Sequence, residues 1–441
     1  MWKVIANIGW IFFDRVFRLI VGVLVSVWVA RYLGPSEFGI LNYAMLFPTV
    51  LMSLAGFGLT NILLIDFVAA NNDLEKQHRL TQLGLFIKLM FGSLAYVISC
   101  SLNYILNKDN PVLFQLINLT GVILILQSSD IIDTYFQSQT KAKLSIVVKL
   151  IAFGLASLLR IYALKNDKKI NFLVVINIIE SLLVYVLSLM VYQQKISSLF
   201  SNISQAVNLK LIKQMIQTAW PIMITEFFVF VYMRVDQFMI EELSTNRELG
   251  LYGAALRLSE AWYFIAGAIT TSFYPKIAEY WLINREKFYN QYQSLLNILT
   301  YMSIGLSIFV SVSANRLIEV LYGPDFQQAG SILSVHIWAG VFVFIGVGTN
   351  NLMIVNNLQK FVLIKTITGA LLNVLLNFWL IPLYGAMGAS IATFISYGFQ
   401  AYLLNYFLKE ARPIFNLQSQ SFINFITLKR PIMAKFNFKQ L

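Results

Sequence analysis

Charged residues are scarce in this chain of 441 residues: Asp, Glu, Lys and Arg together make up 12% of it, whereas hydrophobic residues make up 58%. A typical soluble domain carries about 25% charged residues. Many windows of about 20 residues contain no strong helix breaker, and this is the length that an α-helix needs to cross a membrane. The composition therefore predicts an all-α integral membrane protein and argues against a single, very apolar soluble core.

Metal ligands and catalytic motifs are also scarce. The single cysteine, Cys100, excludes an intramolecular disulfide, and the two histidines, His78 and His336, leave little for a histidine-built metal site. The sequence has no G-x-x-x-x-G-K-[ST] phosphate loop, no H-E-x-x-H and no G-x-S-x-G. We therefore predict no metal site, no cofactor, no ATP hydrolysis through such a loop and no enzymatic activity.

Twelve apolar segments are long enough to cross a membrane. Their approximate bounds are 10–30, 40–65, 83–106, 112–136, 144–164, 172–192, 215–240, 252–275, 295–312, 331–355, 361–381 and 386–408. The first is too long for the core of a signal peptide, and no Ala-x-Ala cleavage site follows it. The predicted organisation is a six-helix N-terminal lobe over 1–192, a cytoplasmic linker over 193–214, a six-helix C-terminal lobe over 215–408 and a basic cytoplasmic tail over 409–441.

The distribution of Lys and Arg among the loops predicts the orientation of the chain. More than twice as many loop cations lie on the side of the two termini as on the other side. Cytoplasmic loops are enriched in Lys and Arg, so both termini are predicted to be cytoplasmic in a plasma membrane. The basic connection 160–171, which includes Arg160, opposes this trend. The net charge of +12 is explained by such loops, and we expect no nucleic-acid partner.

A weak internal repeat relates the two halves. Residues 37–60 match residues 248–271 at an offset of 211, with six identities in 24 positions. Copies that lie six spans apart begin on the same side of the membrane and therefore have parallel topology. This arrangement predicts two pseudo-symmetric six-helix lobes around a central cleft, where transporters bind their substrates.

Seven basic and seven acidic residues nevertheless fall within the predicted spans. They are Arg15, Arg18, Lys88, Lys149, Arg234, Arg257 and Lys365, with Asp14, Asp130, Asp133, Glu180, Glu226, Asp236 and Glu260. A charge at the centre of a membrane helix costs about 2.5–3.5 kcal/mol, so such residues normally face a polar interior. This number is too large for a passive bundle, and we predict a hydrated cleft lined with charge.

Some of these charges have a partner at helical spacing. Asp14 and Arg18 are four residues apart and Arg257 and Glu260 are three apart, so each pair can neutralise itself on one helix face. Other cations have no acid three or four residues away, namely Lys88, Lys149, Lys365 and Arg234. These cations need an anion from another helix or from a substrate.

Polar residues also recur at helical spacing in two of the spans. The two stripes comprise Arg257, Glu260, Phe264, Gly267 and Thr271 in span 252–275, and Lys365, Gly369, Asn373 and Asn377 in span 361–381. Each stripe lies on one helix face. The stripes indicate either a cavity wall or a polar seam between helices.

Carboxylates within the spans are candidates for carrying a coupling ion. Asp130 and Asp133 are three residues apart on one face of the fourth span, and paired carboxylates in a membrane can carry protons or bind a cation. Asp236 and Glu260 are further candidates of the same kind.

Several short motifs resemble those of a known transporter family. Residues 30–44 (ARYLGPSEFGILNYA) resemble the signature that follows the first span of polysaccharide-exporting flippases of the Wzx type, and residues 250–260 (GLYGAALRLSE) resemble the motif of that family's second half. The segments 274–276 (YPK), 321–323 (LYG) and 384–389 (YGAMGA) are also similar to it. The wider superfamily includes multidrug exporters and the flippase of the peptidoglycan lipid precursor.

The resemblance implies a substrate and a mechanism. Wzx-type proteins move an oligosaccharide repeat unit, linked to polyprenyl pyrophosphate, between leaflets by alternating access, driven by a H⁺ or Na⁺ gradient rather than by a cofactor. Membrane lipids, a polysaccharide polymerase and a chain-length regulator are the implied partners. The pyrophosphate would meet Arg257 first, and then Arg18, Arg234, Lys149, Lys365 and Lys88. The sugar hydroxyls would meet Asn373, Asn377 and Thr271.

Two other functions stay open from the sequence. A multidrug or small-cation exporter of the same fold would have an acidic and aromatic cavity, whereas this chain has as many intramembrane cations as acids. A membrane polysaccharide polymerase or glycosyltransferase is less favoured, because the loops are short and because the repeat predicts a transporter.

Overall fold

The computed structural model describes residues 2–70, 73–196 and 209–428, which are helical and contain no β-strand within those ranges. The chain divides into two compact units, Met1–Arg234 and Val235–Leu441. The division falls inside a helix rather than in the linker predicted over 193–214. Residues 197–208 of that linker lie outside the described residues.

Unit 1 consists mainly of long helices that follow one another through short turns. They are α1 (Trp2–Gly56), α2 (Leu59–Ala69), α3 (Leu74–Asn107), α4 (Pro111–Gly121), α5 (Ile123–Leu126), α6 (Asp130–Ser138), α7 (Ala142–Lys165), α8 (Ile170–Lys195) and the first part of α9 (Leu209–Leu243). Gly92 on α3 lies so close to α5 that an added Cβ would meet the Leu124 carbonyl oxygen at 2.7 Å. Glycine therefore permits this helix contact.

Unit 2 begins within α9 and continues through nine further helices. They are α10 (Asn246–Glu260), α11 (Tyr263–Ala278), α12 (Tyr280–Ile283), α13 (Arg285–Tyr322), α14 (Gln328–His336), α15 (Ala339–Val355), α16 (Gln359–Gly398), α17 (Leu404–Phe407) and α18 (Arg412–Ile426). A π-helical turn, Phe399–Leu403, separates α16 from α17. Tyr292 of α13 donates a hydrogen bond to the Gly348 carbonyl of α15 at 2.6 Å.

Nine helical segments in the described part of the chain are long and apolar enough to cross a membrane. Two of them are much longer than one crossing: Gly9–Ala69 has 61 residues and Lys360–Phe407 has 48. Each contains two of the predicted spans and a non-helical glycine between them, Gly34 with φ 72° and Gly385 with φ 55°. Positive φ is readily adopted only by glycine. The predicted all-α multi-pass membrane fold is confirmed.

The span predicted over 252–275 and the predicted tail both contain features that the sequence did not indicate. The span predicted over 252–275 is broken at residues 261–262, between α10 and α11, and neither helix alone is long enough to count as a membrane span by the same criterion. The polar stripe of this span therefore does not run along one straight helix. In the predicted tail, residues 412–426 form α18, which packs on α13. Residues 429–441 lie outside the described residues.

Candidate functional site

Unit 1 contains a polar cavity with a volume of about 330 Å³. It lies among α1, α5, α6, α7, α8 and a short 3₁₀ turn, Gln127–Ser129, that connects α5 to α6. Its polar lining consists of Arg18, Gln127, Ser129, Asp130, Asp133, Lys149, Glu180, Ser181 and Ser188. Four of the residues predicted from sequence, Arg18, Lys149, Asp130 and Asp133, are thus brought together in one place.

The two aspartates, Asp130 and Asp133, follow an irregular turn within the fourth predicted span. Instead of one helix over 112–136, the chain forms α4 and α5, then the 3₁₀ turn, and then α6. Asp130 and Asp133 lie in the first turn of α6, directly after the 3₁₀ turn. A 3₁₀ stretch between α-helical stretches often marks a hinge or a functional position.

Each of these two aspartates forms an ion pair with a lysine from another helix. Lys88 of α3, whose side chain is 1% exposed, donates to Asp130 Oδ1 at 2.5 Å and to Thr60 Oγ1 at 3.1 Å. Lys149 of α7 donates to Asp133 Oδ2, and Ser145 donates to Asp133 Oδ1 at 2.5 Å. Two of the three lysines with no acid three or four residues away on their own helix are therefore paired with an aspartate of α6.

A second set of charges surrounds the same cavity. Arg18 Nε lies 3.1 Å from Asp14 Oδ1, which is the predicted pairing within α1. Arg160 donates to Glu180 Oε2 at 2.6 Å and to Asn177 Oδ1 at 2.7 Å. Arg160 was assigned to a basic outer loop from the sequence, but it lies inside α7 and is paired with α8. The loop that opposed the predicted orientation is therefore less basic than the sequence indicated.

The charges on and directly behind the cavity wall balance. Four basic side chains are each paired with one of four acidic side chains. In a poorly solvated site, an isolated charge is very unfavourable, whereas a paired and hydrogen-bonded charge is tolerated. The cavity is thus formally neutral but rich in groups that can exchange one ionic partner for another.

Unit 2 contains a separate buried polar network centred on Asp236. This residue is 3% exposed. Its carboxylate accepts hydrogen bonds from the Tyr252 hydroxyl, from the Gln237 backbone N–H at 2.7 Å and from the Thr393 hydroxyl at 3.5 Å. The sequence indicated Asp236 as a candidate for ion coupling but gave no sign of Tyr252 or Thr393, because these donors come from other helices.

The two predicted sugar-binding asparagines belong to this network. Asn373 donates to Ser396 Oγ at 3.1 Å and to Thr393 Oγ1 at 3.4 Å, and Asn377 donates to Asn373 Oδ1 at 2.9 Å. Both asparagines are almost fully buried, at 1% and 0% exposure. In this conformation they form a polar seam between the two segments of α16 that Gly385 separates, which is one of the two structures that their spacing indicated.

The remaining predicted residues lie elsewhere. Arg257 is exposed in the last turn of α10, and Glu260 is half-buried at the end of that helix. Thr271 is exposed and donates to the Gly267 carbonyl of its own helix at 2.8 Å. Arg234 is half-buried in α9, and Lys365 is 5% exposed in α16. These five positions stay candidates for substrate or ion contact.

Sequence reasoning missed the neutral members of the cavity and one of its ion pairs. Gln127, Ser181 and Ser188 line it, but their types are too common in membrane helices to signal a site. Glu180 was recognised as an acid within an apolar span, which marks a polar interior, but it was not assigned to a site. Its partner Arg160 was obscured by its position near the end of a predicted span.

Sequence comparison relates the chain to polysaccharide biosynthesis. Residues 28–331 match a family described as "Polysaccharide biosynthesis protein". A curated relative, the "Probable low-salt glycan biosynthesis flippase Agl15" of Haloferax volcanii, is 25% identical over 222 residues. That match covers 48% of this chain and 45% of the relative, so the chain spans about half the length of this relative.

Solved structures show the same fold at low sequence identity. A "Lipid II flippase MurJ, inward closed conformation" has a TM-score of 0.68 at 16% identity and covers 96% of this chain and 93% of that protein. An inward-facing multidrug resistance MATE transporter of the MOP superfamily has a TM-score of 0.68 at 12% identity, covering 92% of this chain and 96% of that protein.

A third similar structure is known for the charge of its binding site. It is a MOP superfamily transporter from Pyrococcus furiosus, described as having a "reverse polarity of binding pocket". Its TM-score is 0.59 at 13% identity, and the match covers 96% of both chains. The relatives named here are flippases and transporters rather than enzymes. The family match covers more than half of the chain and confirms the resemblance found in the motifs: the protein belongs to the polysaccharide biosynthesis protein family.

Proposed function

We propose that this protein is a flippase that moves a polyprenyl-pyrophosphate-linked oligosaccharide from the cytoplasmic to the outer leaflet of the plasma membrane by alternating access. It would thereby supply repeat units for a surface polysaccharide. The observation that carries the proposal is the ion-paired cavity of unit 1. Arg18 of α1 and Lys149 of α7 line it, and the buried Lys88 of α3 is paired with Asp130 of its lining. Family membership and the flippase relative support the same activity.

Ion pairs within the site suit the recognition of a pyrophosphate. Lysines and arginines bind phosphate oxygens through charge-assisted hydrogen bonds. In this structure Lys149 is neutralised by Asp133, so its charge is not left uncompensated. When a pyrophosphate enters, it replaces the carboxylate as the partner of the lysine, and the displaced carboxylate is stabilised by Ser145 or by uptake of a proton.

The size of the cavity limits what it holds. A volume of about 330 Å³ is at the low end of the range of small-ligand pockets, about 300–1,000 Å³. Such a space suits the pyrophosphate together with only part of a glycan. The rest of the oligosaccharide therefore contacts other surfaces, for which Arg257, Thr271, Asn373 and Asn377 stay candidates, while the polyprenyl chain stays in the bilayer.

Transport against a gradient requires an energy source, and we propose a H⁺ or Na⁺ gradient. Asp236 is the strongest candidate for the coupling group because it is buried and surrounded by hydroxyl and amide groups. The same network includes Asn377 Oδ1, a buried oxygen with no hydrogen-bond donor among the described residues. Asp130, Asp133 and Glu260 are further candidates.

The proposal implies a cellular context. The two termini would be cytoplasmic, and the protein would contact membrane lipids and act before a polysaccharide polymerase and a chain-length regulator. Its products would be single repeat units in the outer leaflet, ready for joining. No nucleic-acid partner is expected.

A leaflet-resolved assay tests the proposal. Cells that lack the protein are complemented with the native sequence, with Lys149→Gln or with Lys108→Gln, a control at an exposed position between α3 and α4. We expect Lys149→Gln to accumulate intact lipid-linked repeat units in the cytoplasmic leaflet, as measured with a membrane-impermeant lectin on oriented vesicles. The flippase proposal fails if cells without the protein still deliver single units to the outer leaflet.

A multidrug or small-cation exporter is the second candidate function. The similarity to MATE transporters in the inward-facing and outward-facing conformations, with TM-scores of 0.68 and 0.62, favours it. The cavity argues against it, because each of the three acidic side chains that line it is already paired with a basic side chain. Increased drug susceptibility on deletion, with unchanged surface polysaccharide, would favour the exporter. The polymerase alternative is not kept, because the relatives are transporters.

A further inference from the structure

The buried face of α18 is mostly polar: of its four buried residues, only Ile414, near the beginning of the helix, is apolar. Gln418, Ser421 and Asn424 are 0%, 0% and 8% exposed. Ser421 forms a hydrogen bond with Thr300 of α13 at 2.9 Å, and Asn424 donates to Asn297 of α13 at 3.2 Å. A helix that lay on a water-exposed surface would be expected to bury an apolar face instead.

Gln418 connects α18 by hydrogen bonds to the π-helical turn and to α17. Its Nε2 donates to the Ala401 carbonyl at 3.0 Å, and its Oε1 accepts from Asn405 at 2.9 Å. Ala401 lies in the π-helical turn Phe399–Leu403. The polar seam is thus continuous from α13 through α18 to this turn, and α18 is an integral part of unit 2.

The outward face of α18 changes in polarity along its length. At its beginning the exposed residues are Arg412, Asn416 and Gln420. Towards its end they are Ile423 and Ile426, which are 49% and 77% exposed. A helix that lay flat at a membrane surface would keep one polarity along its outer face, whereas a helix that enters the membrane end-on passes from a polar to an apolar environment.

The contacts with α13 give the depth to which α18 reaches. Gln293 of α13 donates to the Leu417 carbonyl at 3.1 Å, and the rings of Tyr301 and Phe425 have centroids 5.3 Å apart. Phe425 also packs against the buried cluster that contains Ile304. From residue 293 to residue 304 a helix rises about 16 Å, at about 1.5 Å per residue. This is about half of a hydrocarbon core of about 30 Å.

We infer that α18 is a membrane half-span, which enters the bilayer at the face where Lys409 lies and ends near its middle, with Ile423 and Ile426 covered by lipid acyl chains. Hydrogen bonding between polar side chains is favourable at such a depth. The apolar residues would be costly to expose to water. This location replaces the cytoplasmic tail that the sequence predicted for these residues.

Spin labels measure the depth of α18 directly. In the full-length protein with Cys100→Ser, single cysteines replace Asn416, Gln420, Ile423 or Ile426, all of which are exposed and tolerate a label. The proteins are reconstituted in liposomes, and collision of each label with oxygen and with a water-soluble nickel chelate is recorded. Labels at Lys287 and Phe309 of α13 provide the reference values for water and lipid; Phe309 is 65% exposed.

The half-span predicts a gradient of accessibility. Access to the nickel chelate should fall, and access to oxygen should rise, in the order Asn416, Gln420, Ile423, Ile426, with Ile426 close to the value of Phe309. High nickel access at all four positions would overturn the inference and leave α18 in water. Equal intermediate values at all four would overturn it in favour of a helix parallel to the surface. Retained thermal melting curves exclude unfolding as the cause of either result.

Discussion

Substitutions of Lys149 and Asp133 can distinguish a structural role of this ion pair in the unit 1 cavity from a role in transport. Their side chains are 22% and 14% exposed, so each charge depends on the other for compensation. Removing one partner of a buried pair typically costs about 3–5 kcal/mol. This pair keeps some access to solvent. We therefore expect Lys149→Met to reduce the free energy of unfolding by about 3 kcal/mol, the lower end of that range.

A double substitution should restore stability without restoring transport. In Lys149→Met with Asp133→Asn, no uncompensated charge is left, and the new side-chain amide oxygen at position 133 can still accept a hydrogen bond from Ser145. Replacing both partners of a buried ion pair by neutral groups is often close to neutral in stability. If Lys149 binds the substrate's pyrophosphate, the double variant should therefore melt near the native temperature and yet fail to deliver repeat units to the outer leaflet.

The assay compares three proteins at equal membrane levels: native, single variant and double variant. Thermal unfolding in detergent reports stability, and leaflet-resolved lectin binding reports transport. The exposed pair of Arg79 and Glu75, with side chains 60% and 76% exposed, provides the matched control. Such surface pairs contribute little, so Arg79→Met with Glu75→Gln should change neither readout. Normal transport by the double variant at Lys149 and Asp133 would refute the substrate role of this pair.

Three further predictions concern other positions. Glu248→Ala should lower the melting temperature, because the Glu248 carboxylate accepts the Ala386 N–H at 2.9 Å at the break within α16; Glu248→Gln should lower it less, and equal melting of both would contradict this capping role. Arg234→Gln combined with Arg257→Gln should abolish delivery of repeat units if these arginines contact the pyrophosphate, and unchanged delivery at normal protein levels would remove both from the site. Asp236→Asn should make transport in vesicles insensitive to an imposed H⁺ or Na⁺ gradient, whereas a retained response would place coupling elsewhere.

Hydrophobicity alone revealed the membrane class and most of the spans. An apolar run of about 20 residues has few alternatives to a membrane helix, because backbone groups in lipid must be satisfied within the segment. The interruptions within the predicted spans could not be recognised from the sequence as easily. The span predicted over 252–275 contains no proline before its last residue, and the structure divides it at residues 261–262. Such an interruption depends on contacts with other helices rather than on the local sequence.

The helix α18 was not predicted from the sequence of the tail, because composition does not indicate which way a side chain points. Residues 412–426 contain many Gln, Ser and Asn residues, so their average polarity resembles that of a cytoplasmic segment. In the structure these residues meet polar groups of α13 and of the π-helical turn, and they face inward. Only the partner helices reveal that the outer face of α18 is polar at its beginning and apolar at its end.

The sequence by itself determined that this protein is a helical membrane protein, that it carries costly charges within its spans, and that it belongs among polysaccharide exporters and their relatives. The first two follow because the cost of placing a charge in lipid depends on residue type and on position within an apolar run, and the third follows from the short motifs at residues 30–44 and 250–260. The tertiary structure alone decided how the charges are paired. Lys88 finds Asp130, and Lys149 finds Asp133, across helices that no local spacing relates, because ion pairing depends on distances of a few ångströms that are set by packing.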